Sequence, residues 1–296
     1  MTAAEFLERY GLLGHPLSPT IRTGHALRVN TLLTATDALL GRLVARGVEL
    51  KRIPFTRDGY WIAKAHFSLG STTEYLRGLY YLQDAAAQLP VQVLSPKPGE
   101  TVLDCCAAPG GKTTQLAQWM ENKGVIVSCE NSVHRMTSLK ANLERCGAAD
   151  VIVYAADAAD VQDFGMTFDK VLLDAPCAGN FASDPEWFSK RRLEDVTRNT
   201  PLQKKLLQAA VSVLRKDGVL VYSTCSLEPE EDEMVIDWAL KNLPVHLVDT
   251  SIEVGEPGIA DPFGNRLDGQ IPLTRRLWPE QGKNEGFFVA KMVKHG

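Results

Sequence analysis

An α/β fold is indicated most directly by Thr101-Val-Leu-Asp-Cys-Cys-Ala-Ala-Pro-Gly-Gly-Lys-Thr-Thr114. A short apolar run ends on Asp104, a glycine-containing turn follows, and a helical segment begins near Gly111. Small residues in such a turn let backbone N–H groups and a helix N-terminus approach a ligand closely. The segment therefore predicts a strand, a nucleotide-type binding loop and a helix, in that order.

Two common loops of this kind do not match. A P-loop, G-x-x-x-x-G-K-[ST], requires glycine five residues before Gly111, where this chain has Cys106. An NTPase site built around Gly111-Lys112-Thr113 is therefore the least supported interpretation of this loop. The G-x-G-x-x-G motif is also missing, which disfavours a nicotinamide-dependent dehydrogenase.

The same alternation of apolar run and amphipathic segment continues from Pro96 to Thr224 and predicts a doubly wound, Rossmann-like α/β sheet. Two helices are predicted from apolar stripes: Val133, Met136, Leu139 and Leu143 ending at Gly147, and Leu202, Leu206, Ala209 and Val213 opening at Thr200-Pro201. The predicted strands are Thr101–Asp104, Val125–Cys129, Val151–Tyr154, Lys170–Asp174 and Val219–Ser223.

The chain divides near Pro96 and Pro98-Gly99. Residues 1–95 are predicted to form a small N-terminal α/β domain that binds RNA, with residues 72–95 as a helical connection. Residues 96–296 are predicted to form the catalytic domain, in which 255–269 is loop and the segments 271–277 and 286–293 close the sheet as a pair of strands.

Composition narrows the class of protein. The chain has 296 residues, 45% hydrophobic and 23% charged, with a formal net charge of -4, as expected for a globular protein without a membrane span and located in the cytoplasm. Residues 1–95 hold 10 Lys and Arg against 7 Asp and Glu. This excess suits a phosphate-bearing substrate at the front of the molecule, although ordinary surface variation explains it equally well. The six cysteines show no C-x-x-C spacing, so neither a disulfide framework nor a metal site is predicted.

Acids and thiols follow the predicted strands. Glu130 lies twenty residues beyond Gly110 at the end of the second strand, where a carboxylate can accept hydrogen bonds from both hydroxyls of a ribose. Asp157 and Asp174 follow the third and fourth strands, and Cys177 and Cys225 follow the fourth and fifth. Singly, each acid would more often be a helix cap or a surface residue. Because the ends of parallel strands face one crevice, their repeated placement predicts a shared site.

Taken together, these segments resemble the Sun/Nop-type (RsmB/Nop/Sun) family of RNA cytosine-5 methyltransferases. The resemblance spans nearly the whole chain, and its most specific part is a proline-cysteine and a threonine-cysteine that each follow a strand. The matching segments are Arg28-Val-Asn30, Gln83-Asp84, Asp104 to Thr113, Glu130, Arg135, Asp157, Asp174-Ala-Pro-Cys177, Ser223-Thr-Cys-Ser226 and Gly286-Phe-Phe288. Unlike the family, the loop after Cys177 lacks an arginine before its Asp-Pro. Lys190-Arg191-Arg192 is a candidate replacement for phosphate contacts, although a solvated run of charges is the better-supported interpretation of these residues.

The resemblance implies an enzyme that transfers a methyl group from S-adenosylmethionine to cytosine in RNA. Transfer RNA is the favoured substrate and ribosomal RNA the next, and the protein is expected to act as a monomer and without a metal. Carbon 5 of cytosine is a poor nucleophile until a thiolate adds to carbon 6. The resemblance assigns that addition to Cys225 and product release to Cys177, whereas the residues alone do not rank the two thiols.

Further roles follow from the resemblance. Asp174 is expected to hydrogen-bond the cytosine edge, and Arg28, Asn30, Asp84 and Lys112 to bind substrate; a structural Lys112 is almost as well supported. A rival interpretation is an RNA-binding assembly factor without turnover, which retention of both cysteines disfavours. The residues implied to bind the cofactor are Cys106, Ala107, Ala108, Pro109, Gly110, Gly111, Lys112, Glu130, Arg135, Asp157 and Asp174.

Overall fold

The computed structural model describes residues 3–296; Met1 and Thr2, at the start of the predicted first domain, lie outside the described residues. The N-terminal part contains a four-stranded antiparallel sheet in the order β2-β3-β1-β4, with Leu27 and Val29 of its central strand packed on Leu39 and Leu43 of a helix. Its elements are α1 (Ala3–Leu12), β1 (Ala26–Val29), α2 (Thr36–Ala45), β2 (Glu49–Arg52), β3 (Gly59–Lys64), α3 (Thr73–Leu76), β4 (Tyr80–Leu82) and α4 (Leu89–Leu94).

Within the described residues, the second sheet has nine strands in the order β11-β12-β13-β9-β8-β5-β6-β7, with β10 beside β13. The strands from β9 to β7 are parallel, and the order reverses direction at β5. The strands are β5 (Thr101–Asp104), β6 (Val125–Cys129), β7 (Val151–Tyr154), β8 (Phe168–Asp174), β9 (Leu214–Thr224), β10 (Val245–Val248), β11 (Glu256–Pro257), β12 (Arg275–Leu277) and β13 (Phe287–Lys294). The helices are α5 (Gly111–Trp119), α6 (Val133–Cys146), α7 (Trp187–Lys190), α8 (Thr200–Val213) and α9 (Glu233–Asn242).

Helices cover both faces of the parallel sheet, which explains why its strands are so apolar. Side chains alternate across a strand, so Leu103 packs with residues of α8 and α9 on one face while Val102 packs with α4 and α5 on the other. The doubly wound, Rossmann-like fold predicted from the sequence is thereby confirmed, together with the five predicted strands. No helix in the described part of the chain is both long and apolar enough to cross a membrane.

Two residues predicted to be core are exposed. Val133 is 76% exposed because it lies roughly 60 to 120° around α6 from Met136, Leu139 and Leu143, which are buried. Leu202 is 41% exposed although it shares the face of Leu206. Leu202 lies in the first turn of α8, where it lines the active-site cavity described below.

Residues 72–95 are not simply a helical connection, and the prediction was wrong for their middle. Tyr80–Leu82 forms β4, paired with β1, because its aromatic residues suit a half-buried strand. The closing strands are confirmed as β12 and β13, but Ile271–Leu273 is a 3-10 turn. Within the predicted loop 255–269, Glu256–Pro257 forms the short edge strand β11.

Two residues predicted to contact substrate instead join the domains. The guanidinium of Arg28 donates hydrogen bonds to the Gly111 carbonyl at 3.0 Å and to Thr114 Oγ1 at 2.9 Å. Asn30 Nδ2 donates to the carbonyls of Gly78 at 2.9 Å and Cys146 at 2.8 Å. Both side chains are 1% exposed, so the structure contradicts a direct contact of either with RNA.

Asn30→Ala tests that structural role. It leaves two buried carbonyls without their donor, and an unsatisfied buried group costs about 1 to 3 kcal/mol. We expect the free energy of unfolding, measured by urea denaturation, to fall by about 2 kcal/mol. Thr31→Ala, an exposed neighbour, is the control and should change it little. An unchanged free energy of unfolding in Asn30→Ala would show that these two hydrogen bonds do not stabilise the contact between the domains.

Candidate active site

The carboxyl ends of β5, β6, β8 and β9 open into a cavity of about 340 Å³. The acids and thiols predicted to converge do so, because all five line this cavity at the point where the strand order reverses: Glu130, Asp157, Asp174, Cys177 and Cys225. In the described part of the chain, no group of three or more His, Cys, Asp or Glu side chains is arranged to hold a metal ion.

The loop after β5 is held in a compact shape. Gly110 has a φ of 106°, and a Cβ there would lie 3.2 Å from Leu139 Cδ1, so a side chain would be strained and would press on α6. Thr113 Oγ1 donates to Asp104 Oδ2 at 2.7 Å. Burial raises the pKa of Asp104 to about 6, although the Thr113 hydrogen bond partly offsets this. The Thr113–Asp104 hydrogen bond and the tight packing at Gly110 therefore hold the backbone of the loop in place beside the cavity.

Glu130 links the loop to α6 at one end of the cavity. Its Oε1 accepts a hydrogen bond from the Ser132 N–H at 2.9 Å, and its Oε2 lies 3.4 Å from Arg135 Nη1. Arg135 Nη2 in turn donates to the Ala108 carbonyl of the loop at 2.7 Å. Asp157 Oδ1 accepts from the Ala159 N–H at 2.9 Å. Carboxylates held in this way along a glycine loop fit the hydroxyl and amino groups of an adenosine.

The two thiols lie side by side, with Cys177 Sγ 3.5 Å from Cys225 Sγ, and both are free. Their hydrogen bond raises the pKa of the Cys225 thiol, and burial raises it further because a thiolate is poorly solvated there. Cys225 therefore holds its proton at neutral pH. Any nucleophilic attack by it must be coupled to removal of that proton.

Neighbouring side chains fix both cysteine segments. Gln203 Nε2 donates to the Pro176 carbonyl at 2.9 Å, and Asn180 Nδ2 donates to the Cys225 carbonyl at 2.8 Å. The N–H of Ala178 donates to the carboxylate of Glu231 at 3.0 Å. In the predicted basic run, Arg191 Nε donates to the Ala178 carbonyl at 3.2 Å, so an arginine reaches the loop after Cys177 from outside it.

Asp174 is held by two donors. Lys112 Nζ donates to its Oδ2 and Ser223 Oγ to its Oδ1, both at 2.7 Å. Burial by itself lowers the pKa of Lys112, but the adjacent Asp174 carboxylate raises it overall, so Lys112 remains an ammonium. The pair brings a fixed positive and a fixed negative charge to the mouth of the site.

A second cavity, of about 260 Å³, adjoins the first at Cys106, Ala108 and Asp174. It lies between the N-terminal domain and the loop after β5, and Asp84, Lys112 and Glu285 line it. Two polar residues of the site, Asn180 and Glu285, were missed by sequence reasoning because each lies in a loop without a motif of its own. The adjacent Gly286-Phe-Phe288 segment was the only signal for Glu285.

Comparison with known proteins identifies the family to which this chain belongs. Residues 91–293 match the family described as 16S rRNA methyltransferase RsmB/F, and residues 19–85 match the N-terminal domain of 16S rRNA methyltransferase RsmF. The chain belongs to the RsmB/F methyltransferase family. This confirms the resemblance read from its motifs.

Relatives of the chain are named for different RNAs. It is 36% identical to tRNA (cytosine(49)-C(5))-methyltransferase of Pyrococcus abyssi, covering 97% of this chain and 91% of that protein. It is 38% identical to the mouse 28S rRNA (cytosine-C(5))-methyltransferase over 90% of this chain, but spans only 35% of that longer protein. The structure of NSun6 from Pyrococcus horikoshii with SFG superposes with a TM-score of 0.83 at 25% identity, covering 94% of this chain and 92% of that one.

Glu130→Ala is expected to weaken binding of S-adenosylmethionine. Loss of a hydrogen bond to a charged group costs about 1.5 to 3 kcal/mol, which corresponds to roughly a 10- to 150-fold rise in Kd. Isothermal titration calorimetry measures this, with Glu144→Ala, an exposed acid on α6, as the control. Equal affinity in wild type and Glu130→Ala would exclude Glu130 from the cofactor site.

Proposed function

We propose that this protein transfers a methyl group from S-adenosylmethionine to carbon 5 of a cytosine in RNA through a covalent cysteine-cytosine intermediate. The observation that carries the proposal is the pair of free thiols 3.5 Å apart in the cavity of a methyltransferase fold. Packing alone does not account for two cysteines from different strands that meet beside a carboxylate and an ammonium. Activation of an unreactive pyrimidine carbon does require a nucleophile placed beside charged groups.

The residues present fit S-adenosylmethionine. Glu130 and Asp157 would hold the adenosine, and the loop from Cys106 to Lys112 would hold the methionine portion through its backbone and the N-terminus of α5. A related structure contains SFG, an analogue of this cofactor. When bound, S-adenosylmethionine supplies an electrophilic methyl group.

The chain's own residues prepare the base. Cys225 adds to carbon 6, which makes carbon 5 nucleophilic, and Cys177 assists release of the product. Asp174 accepts a hydrogen bond from the cytosine edge while Lys112 and Ser223 hold it in place. Carbon 6 is attacked from one face of the ring, so the target must be unpaired or flipped out, at a cost of a few kcal/mol.

RNA would approach from the N-terminal side. A cavity of about 680 Å³ on the N-terminal domain includes His25, Lys64 and Ser68. It shares the lining residues Leu82, Gln83 and Asp84 with the smaller cavity at the site, so the two lie next to each other. Transfer RNA is the favoured substrate and ribosomal RNA the next, and the relatives include enzymes named for each. Residues 1–95 would act as the RNA-binding domain and 96–296 as the catalytic domain.

Transfer of tritium from labelled S-adenosylmethionine into unmodified transcripts tests the function. We expect incorporation into transfer RNA or ribosomal RNA, with bisulfite sequencing placing the label at cytosine. Transcripts in which that cytosine is replaced by uridine are the control. The proposal fails if the protein binds cofactor and RNA but incorporates no label.

That last result would favour an RNA-binding assembly factor without turnover. Such a factor has no need for two adjacent thiols, and Cys225 and Cys177 could then be replaced by alanine without loss of RNA binding or of its assembly role. The monomeric state and the cytoplasmic location stay predictions.

A further inference from the structure

Glu285 lies in the chain segment next to Cys225, the predicted nucleophile at the end of β9. Asn180 Nδ2 donates to the carbonyls of both Cys225, at 2.8 Å, and Gly286, at 3.2 Å, and so joins the two chain segments. A Cβ on Gly286 would lie 2.2 Å from Leu227 Cδ2, so any side chain there would force the buried Leu227 to shift. Glu285 lines the smaller cavity together with Asp84, Lys112 and Asp174.

The surroundings of Glu285 favour its protonated form. Burial and, next, the Asp84 carboxylate raise the pKa of Glu285 to about 8, against the opposing effects of the Ser183 hydrogen bond and the Lys112 ammonium. Burial also raises the pKa of Asp84, to about 6, although the N–H groups of Ala86 and Glu285 stabilise its charge. At neutral pH, Asp84 is therefore ionised while Glu285 keeps its proton.

The proposed reaction needs an acid at this position. When a thiolate adds to carbon 6 of cytosine, the displaced electron pair moves through carbons 5 and 4 to N3. The developing charge on N3 must be stabilised by a proton. Asp174 is unsuited to supply it, because both of its oxygens already accept hydrogen bonds from Lys112 and Ser223. Glu285 has Ser183 Oγ on one oxygen, Oε2, which leaves Oε1 for the base.

We propose that Glu285 is the general acid that protonates N3 of the cytosine while Cys225 adds to carbon 6. The inference rests on the proposed function and deepens it. The Cys225 S–H bond breaks and its proton passes to water as the S–C6 bond forms. The C5=C6 π pair shifts to C4–C5, the C4=N3 pair takes the Glu285 proton, and Glu285 becomes a carboxylate. After carbon 5 takes the methyl group and loses its proton to a base, the S–C6 bond breaks and the N3 proton returns to Glu285.

Glu285→Gln is the direct test, because glutamine keeps the size and polarity of the side chain but has no acidic proton. In the transcript that wild-type protein methylates, we expect methyl transfer to fall about 100-fold or more, the usual range for a lost general acid. Cofactor affinity and thermal stability should stay near wild type. A transcript with 5-fluorocytidine at the target, which traps the adduct in wild type, should form it at a correspondingly reduced rate.

The pH profile provides a second readout. Activity should fall as the pH rises through about 8, where Glu285 loses its proton. Ser183→Ala removes a hydrogen bond that stabilises the carboxylate, so this alkaline limb should move to higher pH. Asp84→Asn removes a negative charge, so the limb should move to lower pH. The charged and titratable groups around Glu285 in the site are Asp84, Lys112, Asp174 and Cys225, and Tyr81 and Cys106 also line its cavity.

The outcomes are distinct. Methylation by Glu285→Gln within threefold of wild type, or an alkaline limb that neither Ser183→Ala nor Asp84→Asn moves, would overturn the role of Glu285. If Glu285→Gln does not fold, the opposite shifts in the other two variants decide the question. If wild-type protein itself methylates no cytosine-containing transcript, the proposed function fails instead.

Discussion

Cys225→Ala is expected to abolish methyl transfer and covalent attachment to RNA together. Without addition to carbon 6, carbon 5 never becomes nucleophilic, so the loss of turnover should be about 10⁴-fold or more, as for other removed nucleophiles. Tritium incorporation measures the first effect. A shifted protein band on denaturing gels with a 5-fluorocytidine transcript measures the second.

The control for loss of a buried thiol is Cys146→Ala. Cys146 is 1% exposed at the end of α6, outside both cavities of the site. This variant should keep its activity even if its stability falls. Retained methylation in Cys225→Ala would show that Cys225 is not the nucleophile.

Cys177→Ala is expected to differ in kind from Cys225→Ala. If Cys177 acts only after methyl transfer, its loss leaves an RNA-protein adduct through Cys225, and multiple turnover stops. The 3.5 Å between the two sulfurs places Cys177 close enough to reach the same base. Denaturing electrophoresis with unmodified transcript should therefore show a stable adduct in this variant and little in wild type.

The double variant Cys177→Ala/Cys225→Ala should form no adduct. An adduct that accumulates in Cys225→Ala and is absent from Cys177→Ala would mean that the two roles are reversed. Full activity in both single variants would make the thiols packing residues and remove the covalent mechanism altogether.

The strands of the parallel sheet could be predicted from local sequence alone. Each strand from β5 to β9 contains a short apolar run, such as Val171–Leu173 in β8 and Val219–Val221 in β9. Turn or capping residues such as Gly110 and Ser132 then precede the next helix. These signals act over a few residues, so they can be read in order along the chain. The rule that the ends of parallel strands meet at one edge then predicts that Glu130, Asp174 and Cys225 lie together.

Local patterns failed where exposure depends on distant partners. Val133 is apolar and lies in α6, but it is 76% exposed while Met136, Leu139 and Leu143 of the same helix are buried. Arg28 and Asn30 are polar and looked like ligand-binding residues, yet their partners Gly111, Thr114 and Cys146 are more than 80 residues away and bury them. A motif shows which residues recur together, not whether they face a ligand or another part of the same chain.

Apolar periodicity and strand-end chemistry were enough to establish the class of fold, the loop after β5 and the pair of cysteines, because those features depend on neighbours in the chain. The distance between the two sulfurs, the raised pKa of Cys225 and the placement of Glu285 against Asp84 and Lys112 arise only after folding. Desolvation and the Coulomb interaction depend on separation in space, and segments as distant as residues 84, 112, 177, 225 and 285 are brought within reach of one another only by the packed sheet and its loops.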